Sequence, residues 1–212
     1  MREETNIRAL AELKPDYLGL IFYPQSKRYV NHLDASLLKD LLVDINITGV
    51  FVDEELTIVL QKVNQYGLKA IQLHGSETPE YCQLLREELK KAFNGIELIK
   101  AFGINESFDF TVPELYMAEV DYFLFDTKTP AHGGSGVKFN WSTLKNYHLD
   151  KPYFLSGGIG LEDLGEVTTI NDQRLYAVDL NSRFETSPAV KDIQHISQAI
   201  NTLREASKFK IN

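Results

Sequence analysis

Asp126 could act as a general acid, because it directly follows the apolar run Tyr122–Phe125. A carboxylate at the end of a buried strand is partly desolvated, which raises its pKa and suits it to proton donation. The alternative is an ordinary capping or turn aspartate. The glycine-rich stretch Gly133–Gly136 follows closely and favours the catalytic interpretation, because such a loop can close over a substrate and exclude water.

Two further polar candidates, Gln72 and His74, lie where the apolar run Ala70–Leu73 ends. Residues two positions apart on a strand point to the same face, so both side chains should reach one site. His74 could equally be a hydrogen-bonded core residue or a ligand contact. The five histidines have no zinc-like spacing and lack cysteine partners, so we predict no metal.

Three loops contain residues suited to binding anions. Two of them, 156–160 (SGGIG) and 179–183 (DLNSR), follow the last two apolar runs, where barrel proteins commonly bind phosphate through backbone amides. In the third loop, Lys27 and Arg28 form a basic pair, and an arginine can hold a carboxylate through two hydrogen bonds. A solvated loop charge is the alternative for Arg28. These loops predict an enzyme that acts on a phosphorylated small molecule bearing an acid group.

Short apolar runs would position these residues as strands. They are Tyr17–Phe22, Ile47–Val52, Ala70–Leu73, Leu98–Phe102, Tyr122–Phe125, Tyr153–Leu155 and Tyr176–Leu180. Continuous apolar runs are typical of parallel strands covered on both faces. Helical segments are predicted throughout between them, for example Glu54–Tyr66 with Asp53 as N-cap and Gly67 past its end. The alternation predicts a parallel α/β fold.

The spacing of the runs favours a closed barrel. They recur about every 26 residues, and eight such repeats match the chain length, as in a (β/α)8 TIM barrel. Only seven strands are visible, and one repeat before the first places the missing strand upstream of Met1. We therefore predict a single barrel domain, residues 1–212, N-terminally truncated by its first strand. Loss of that strand should leave unpaired edges on the strands at 17–22 and 176–180.

Composition excludes several other classes of protein. With 22 Lys+Arg against 30 Asp+Glu the net charge is −8, which argues against a nucleic-acid or anionic-membrane partner. No apolar stretch approaches the length of a membrane span, and no secretory signal opens the chain. Cys82 is the only cysteine, so no intramolecular disulfide is possible and a cytoplasmic location is the simplest prediction.

In chain order, these motifs resemble those of the phosphoribosylanthranilate isomerase family of tryptophan biosynthesis, over nearly the whole sequence. The matching segments are Gly19–Val30, Gly49–Val52, Gln72–Gly75, Ile99–Phe102, Phe125–Lys128, Gly133–Gly136, Ser156–Gly158 and Asp179–Ser182. The resemblance implies an Amadori rearrangement of N-(5-phosphoribosyl)anthranilate to 1-(2-carboxyphenylamino)-1-deoxyribulose 5-phosphate, without cofactor or metal.

The resemblance also implies roles for individual residues. Asp126 would protonate the furanose ring oxygen, Arg28 would hold the anthranilate carboxylate, and Asp179 would contact the sugar hydroxyls. Gln72 and His74 would be further substrate contacts. Backbone amides would cradle the phosphate at Gly157, Gly158, Asn181 and Ser182.

Two departures from the family pattern matter. The family's general base is a cysteine in a Lys-(Ile/Val)-Cys-Gly-Met-like motif that ends the first strand, and Met1 aligns just after that Cys-Gly pair. Cys82 cannot substitute, because it is predicted to lie mid-helix as a buried core residue. Secondly, Arg183 stands where the family usually has glycine, which either reshapes the phosphate loop or adds a cationic contact.

The chain as written is therefore predicted to be an isomerase with weak or no activity, a monomer or homodimer that binds a phosphorylated small molecule. The alternative is a non-catalytic phosphosugar-binding barrel. Indole-glycerol-phosphate synthase and the sugar isomerase of the histidine pathway are less well matched. The synthase should have a catalytic lysine pair. The histidine-pathway isomerase should have a paired aspartate arrangement with two phosphate sites.

Overall fold

A parallel sheet with helices on its outer face forms the framework of the molecule. The computed structural model describes residues 1–36, 38, 44–128, 138–206 and 210–211. The predicted glycine-rich loop Gly133–Gly136 lies outside these residues. The α-helices are α1 (Glu4–Glu12), α2 (Leu56–Tyr66), α3 (Pro79–Ala92), α4 (Leu164–Thr169) and α5 (Ile193–Glu205). None of the helices in the described ranges is long and apolar enough to cross a lipid bilayer.

The seven predicted strands form, within one or two residues at most ends. They are β1 (Tyr17–Ile21), β2 (Asn46–Phe51), β3 (Ala70–Leu73), β4 (Glu97–Ile104), β5 (Tyr122–Thr127), β6 (Tyr153–Leu155) and β7 (Leu175–Val178). Three shorter strands follow, β8 (Glu185–Ser187), β9 (Val190–Lys191) and β10 (Lys210–Ile211). Strands β1 to β7 pair in parallel in chain order, while β8 and β9 form a separate antiparallel hairpin.

The prediction of seven strands with two unpaired edges needs correction. The short strand β10 pairs in parallel with β7, so the described sheet has eight strands and the β7 edge is covered. At the other edge, the carbonyl of Gly19 accepts a hydrogen bond from the Met1 amine at 3.1 Å, and the carbonyl of Ile21 accepts one from the Val30 amide at 2.9 Å. Sequence reasoning missed β10 because a two-residue strand has no periodicity of its own.

The sequence predicted a helix between each pair of strands, but the structure does not have this alternation throughout. The connection from β4 to β5 contains the 3₁₀ helix Val112–Tyr116 in place of an α-helix. Pro113 at its start removes a backbone donor, and the preceding aromatic residues Phe108 and Phe110 pack together with ring centroids 5.0 Å apart. This segment therefore packs through clustered aromatic rings and not through a helical stripe.

Strand parity explains why polar residues collect at one edge of the sheet. The sheet's concave interior is filled by a cluster of apolar side chains comprising Tyr17, Ala70, Ile99, Ala101, Leu124, Phe154 and Ala177. The side chain two residues further along a strand points to the same face. Gln72, Asp126, Ser156 and Asp179 occupy those next positions on β3, β5, β6 and β7 or just beyond them. The fold thus places four polar side chains above one apolar floor.

The loop after β3 is held by a buried ion pair. Lys100 Nζ contacts Glu77 Oε2 at 3.0 Å, and the Lys100 and Glu77 side chains are only 3% and 1% exposed. Glu77 also accepts from the backbone amides of Asp53 and Gly75. Such a pair is costly to break by removing one partner. It fixes the loop that follows Gln72 and His74.

Asp53 does not cap α2, contrary to prediction. The helix begins at Leu56, and Glu55 at the N-cap makes no side-chain capping bond. Asp53 has a φ of +49°, and its carboxylate accepts from the Ser76 amide at 2.6 Å. A Cβ on Gly75 would lie 2.5 Å from that carboxylate, so only glycine fits there. The predicted end of α2 at Gly67 is confirmed by its left-handed φ of +61°.

Candidate active site

A cavity of about 740 Å³ opens at the carboxyl ends of the strands. All the residues predicted from the sequence to form a site line it. They are Arg28, Gln72, His74, Asp126, Gly157, Gly158, Asp179, Asn181 and Ser182. They come from five loops or strand ends that are distant in sequence. The fold therefore brings the predicted acid, the basic pair's arginine and both predicted anion-binding loops to one place.

Asp126 lies beside a hydrogen-bonded pair of polar side chains, Gln72 and His74. Its Oδ1 accepts from the Thr127 amide at 2.7 Å, and its Oδ2 is 3.3 Å from His74 Nε2. Gln72 Nε2 is 2.7 Å from His74 Nδ1. An amide nitrogen can only donate, so Nδ1 accepts and the ring hydrogen is on Nε2, facing Asp126. Gln72 thus fixes the tautomer of His74, and the His74 ring lies beside the Asp126 carboxylate.

Asp179 forms a second carboxylate site, paired with a hydroxyl. Ser156 Oγ donates to Asp179 Oδ2 at 2.8 Å. Burial raises the pKa of the Asp179 carboxyl, against the opposing effects of the Ser156 hydrogen bond and the Lys191 charge. The nearby Asp126 charge also raises it. A carboxyl group whose pKa is raised by burial and by a neighbouring charge is common in functional sites.

Replacing Asp179 is expected to stabilise the protein. The folded state holds the Asp179 proton more tightly than the unfolded state, so ionisation costs stability as the pH rises past the carboxyl's ordinary pKa of 3.8. Asp179→Asn keeps an acceptor for Ser156 and removes the charge. At neutral pH it should raise the free energy of unfolding by about 0.5–2 kcal/mol. Urea denaturation across the acid range checks this, because the gain should vanish below the ordinary pKa; a gain independent of pH contradicts it.

The two predicted phosphate loops line the same cavity, and the first of them has backbone conformations that favour glycine. Gly157 and Gly158 have φ of +94° and +67°, which L-residues with side chains rarely adopt. A Cβ on Gly157 would lie 2.3 Å from the Thr127 hydroxyl oxygen, so a side chain is excluded. The opposite loop is held by Lys191, whose Nζ donates to the carbonyls of Leu180 and Asn181 and to the Asn181 side chain at 3.0–3.1 Å.

Arg28 is not a solvated loop charge, the alternative that its sequence left open. Its side chain is only 15% exposed, and its Nε and Nη2 donate to the Glu185 carboxylate at 2.6–2.9 Å. Sequence reasoning missed both Glu185 and Lys191, although each lines or borders the site. The only signal for them was an acid and a base in the segment directly after the second phosphate loop.

The single cysteine lies away from the cavity. Cys82 is fully buried in the middle of α3, as predicted, and burial raises the pKa of its thiol to about 12. A thiol with that pKa is uncharged at neutral pH and is a poor base. Arg183 pairs with Glu162, which joins the loops after β6 and β7 at the surface. In the portions of the chain that are described, no three His, Cys, Asp or Glu side chains group as metal ligands do.

The curled parallel sheet and the cavity at its carboxyl edge define an α/β protein with a candidate acid–base residue in the same cavity as two predicted anion-binding loops. A family model described as N-(5'phosphoribosyl)anthranilate (PRA) isomerase matches residues 1–202. The chain belongs to this isomerase family.

Individual relatives agree with this assignment. An N-(5'-phosphoribosyl)anthranilate isomerase of Phocaeicola vulgatus is 41% identical over 205 residues, which are 97% of this chain and 95% of that protein. The crystal structure of the phosphoribosyl anthranilate isomerase from Thermotoga maritima is 31% identical, with a TM-score of 0.82 and coverage of 97% and 96%. A second isomerase structure holds reduced 1-(o-carboxyphenylamino)-1-deoxyribulose 5-phosphate, with 29% identity, a TM-score of 0.77 and coverage of 95% and 93%.

Proposed function

We propose that this chain catalyses the isomerisation of N-(5'-phosphoribosyl)anthranilate in tryptophan biosynthesis, with Asp126 as its general acid. One observation carries the proposal: Asp126 lies in the same cavity as an arginine and two phosphate-type loops. A substrate with a carboxylate at one end and a phosphate at the other can then span the cavity across the acid. The bound compound in the related structure has both groups.

The proposed reaction needs proton transfers and no external reagent. Asp126 gives its proton to the furanose ring oxygen, the bond from that oxygen to C1 breaks, and the nitrogen lone pair forms an iminium at C1. A base removes the proton from C2, and the electron pair forms an enolamine. Protonation of C1 and loss of the C2 hydroxyl proton, which returns a proton to Asp126, yield the ketone, 1-(2-carboxyphenylamino)-1-deoxyribulose 5-phosphate. His74 supports the first step because its Nε2 lies 3.3 Å from Asp126 Oδ2 and can hydrogen-bond the carboxylate as it loses its proton.

Substrate placement follows from the geometry of the loops. The phosphate is assigned to the backbone amides around Gly157, Gly158, Asn181 and Ser182, and positive φ values at the two glycines open the first of these turns. The anthranilate carboxylate is assigned to Arg28 and the sugar hydroxyls to Asp179, beside Ser156. Gln72 and His74 contact the sugar or orient Asp126. The bound molecule would thus be held at both ends, with C1 and C2 between them.

The general base that removes the C2 proton is the one role for which this site has no cysteine. No cysteine lines the cavity within the described residues. We propose that the sheet is that of a (β/α)8 barrel whose first strand is not among these 212 residues, that this strand pairs with β1 and with β7 in the place that β10 takes here, and that it provides the base. Turnover by the 212 residues alone is then weak. We further propose a single barrel domain acting in the cytoplasm as a monomer or homodimer.

A binding and turnover experiment tests the proposal. Reduced 1-(o-carboxyphenylamino)-1-deoxyribulose 5-phosphate is titrated into the chain by calorimetry, and consumption of N-(5'-phosphoribosyl)anthranilate is followed by chromatography. Binding of the reduced product with slow turnover supports the proposal. Binding with no turnover, even when a cysteine-bearing first strand is added, favours a non-catalytic phosphosugar-binding barrel. Failure to bind contradicts both.

A further inference from the structure

The side chain that holds Arg28 is itself part of an ion cluster that the proposed reaction does not use. Glu185, at the start of β8, has a side chain that is only 4% exposed. Its carboxylate accepts from Arg28 Nε at 2.9 Å and from Arg28 Nη2 at 2.6 Å. It also accepts from the Ala189 amide at 3.2 Å, inside the β8–β9 hairpin. The hairpin therefore fixes the carboxylate, and the carboxylate fixes the guanidinium.

The pairing leaves one edge of the guanidinium for a ligand. A guanidinium carries five N–H donors in a planar fork, and Nε and Nη2 lie along one edge. Glu185 occupies that edge. Nη1 has no hydrogen-bond partner among the residues that the structure describes, Nη2 keeps a second hydrogen, and Arg28 lines the cavity. A second carboxylate can bind there in the plane that Glu185 sets.

Charge balance requires a third member. Arg28 and Glu185 alone sum to zero, which would give a second carboxylate little electrostatic attraction. Lys191 Nζ lies 3.9 Å from Glu185 Oε1 with a side chain 10% exposed, so a second cation adjoins the pair. Burial lowers the pKa of Lys191 to about 8, so it remains protonated at neutral pH. Lys191 also holds Leu180 and Asn181 of the phosphate loop.

We infer that Glu185 is a positioning residue for the acid-bearing end of the substrate: it orients Arg28, and Lys191 adds a second cation beside the pair. The inference rests on the proposed function and deepens it, because it assigns recognition of the substrate's carboxylate to a three-residue cluster. It also joins the two anion sites, since Glu185 and Lys191 belong to one hairpin that follows the phosphate loop.

Two ligands that differ only in the carboxyl group test the inference. Calorimetry compares reduced 1-(o-carboxyphenylamino)-1-deoxyribulose 5-phosphate with reduced 1-(phenylamino)-1-deoxyribulose 5-phosphate. The native chain should prefer the carboxylated ligand by at least about tenfold, the usual strength of a charge-assisted contact. Glu185→Gln should reduce that preference to about threefold or less while leaving the affinity for the other ligand nearly unchanged. Glu185→Asp, which keeps the charge but shortens the reach, should fall between them.

The outcomes distinguish failure of the positioning role of Glu185 from failure of the proposed function. A loss of affinity that is equal for both ligands makes Glu185 merely structural and overturns the inference, as does a preference unchanged in Glu185→Gln. A native chain that binds neither ligand contradicts the proposed function itself. Glu114→Gln is the matched control, because Glu114 forms an exposed pair with His148 and does not line the cavity. Thermal unfolding establishes that each variant is folded, and Glu185→Asp carries the test if Glu185→Gln is not.

Discussion

Placing a Lys-Ile-Cys-Gly strand directly before Met1 is expected to raise kcat/KM for N-(5'-phosphoribosyl)anthranilate by about 10²–10⁴, the usual contribution of a positioned general base. The resemblance to the isomerase family aligns Met1 just after such a Cys-Gly pair. The gain should appear mainly in kcat, because the residues assigned to binding are already present in the cavity.

The structure gives a physical reason for that gain. Met1 is buried, lines the cavity, and donates from its amine to the Gly19 carbonyl on the edge of β1. The backbone at Met1 thus already runs beside this edge, and residues placed before it would continue along β1 at the cavity. Arg28 and Lys191 line the same cavity, and cationic neighbours lower the pKa of a thiol toward the range in which it can act as a base.

The matched control replaces only the sulfur. A Lys-Ile-Ala-Gly strand restores the same backbone pairing and should raise stability to the same extent, while leaving turnover near that of the 212-residue chain. Urea denaturation and steady-state kinetics on both versions separate the two effects. Equal turnover by the cysteine and alanine versions would refute the cysteine as base, and the added strand would then act only through stability.

Asp126→Asn, made in the version with the cysteine-bearing strand, is expected to lower kcat by about 10²–10⁴ because the furanose oxygen loses its proton donor. Asparagine has nearly the same shape and can still accept from the Thr127 amide. In the native chain this amide donates to Asp126 Oδ1 at 2.7 Å. The affinity for the reduced product should change far less than kcat. Steady-state kinetics and calorimetry on the same preparation measure the two quantities.

The control for this variant is Asp150→Asn, which removes an exposed carboxylate outside the cavity and alters the net charge equally. It should leave kcat within about twofold of the parent, because surface substitutions away from such sites have small effects. A kcat for Asp126→Asn that matches the control would exclude Asp126 as the acid. His74 would then be the nearest remaining proton donor, with its Nε2 facing the same space.

Local patterns in the sequence were sufficient for much of the fold. The apolar runs located seven strands because a strand buried on both faces needs continuous apolar residues. The spacing of Gln72 and His74 placed both side chains on one face, and the structure joins them at 2.7 Å. Gly67 ended its helix because a left-handed residue was needed there. Each of these features depends only on neighbours along the chain.

Other features depended on which segments meet in space. The short strand β10 exists because β7 offers an edge, and Asp53 bonds Ser76 and not its own helix because the loops after β2 and β3 are adjacent. The connection between β4 and β5 packs through aromatic rings, for which helical periodicity gives no signal. These outcomes result from tertiary contacts that override local preference.

The sequence by itself determined which chemical groups are available: a carboxylic acid at Asp126, glycines suited to a phosphate, and an arginine suited to a carboxylate. Tertiary structure alone decided their electrostatic setting. Glu185 reaches Arg28 across 157 positions of sequence, and Asp179 has a raised pKa because the fold buries it near Asp126. The physical reason is that residue type and local spacing fix a side chain's direction on its own element. Charge, burial and hydrogen-bond partners instead depend on distances between elements, which only the tertiary arrangement of the strands sets.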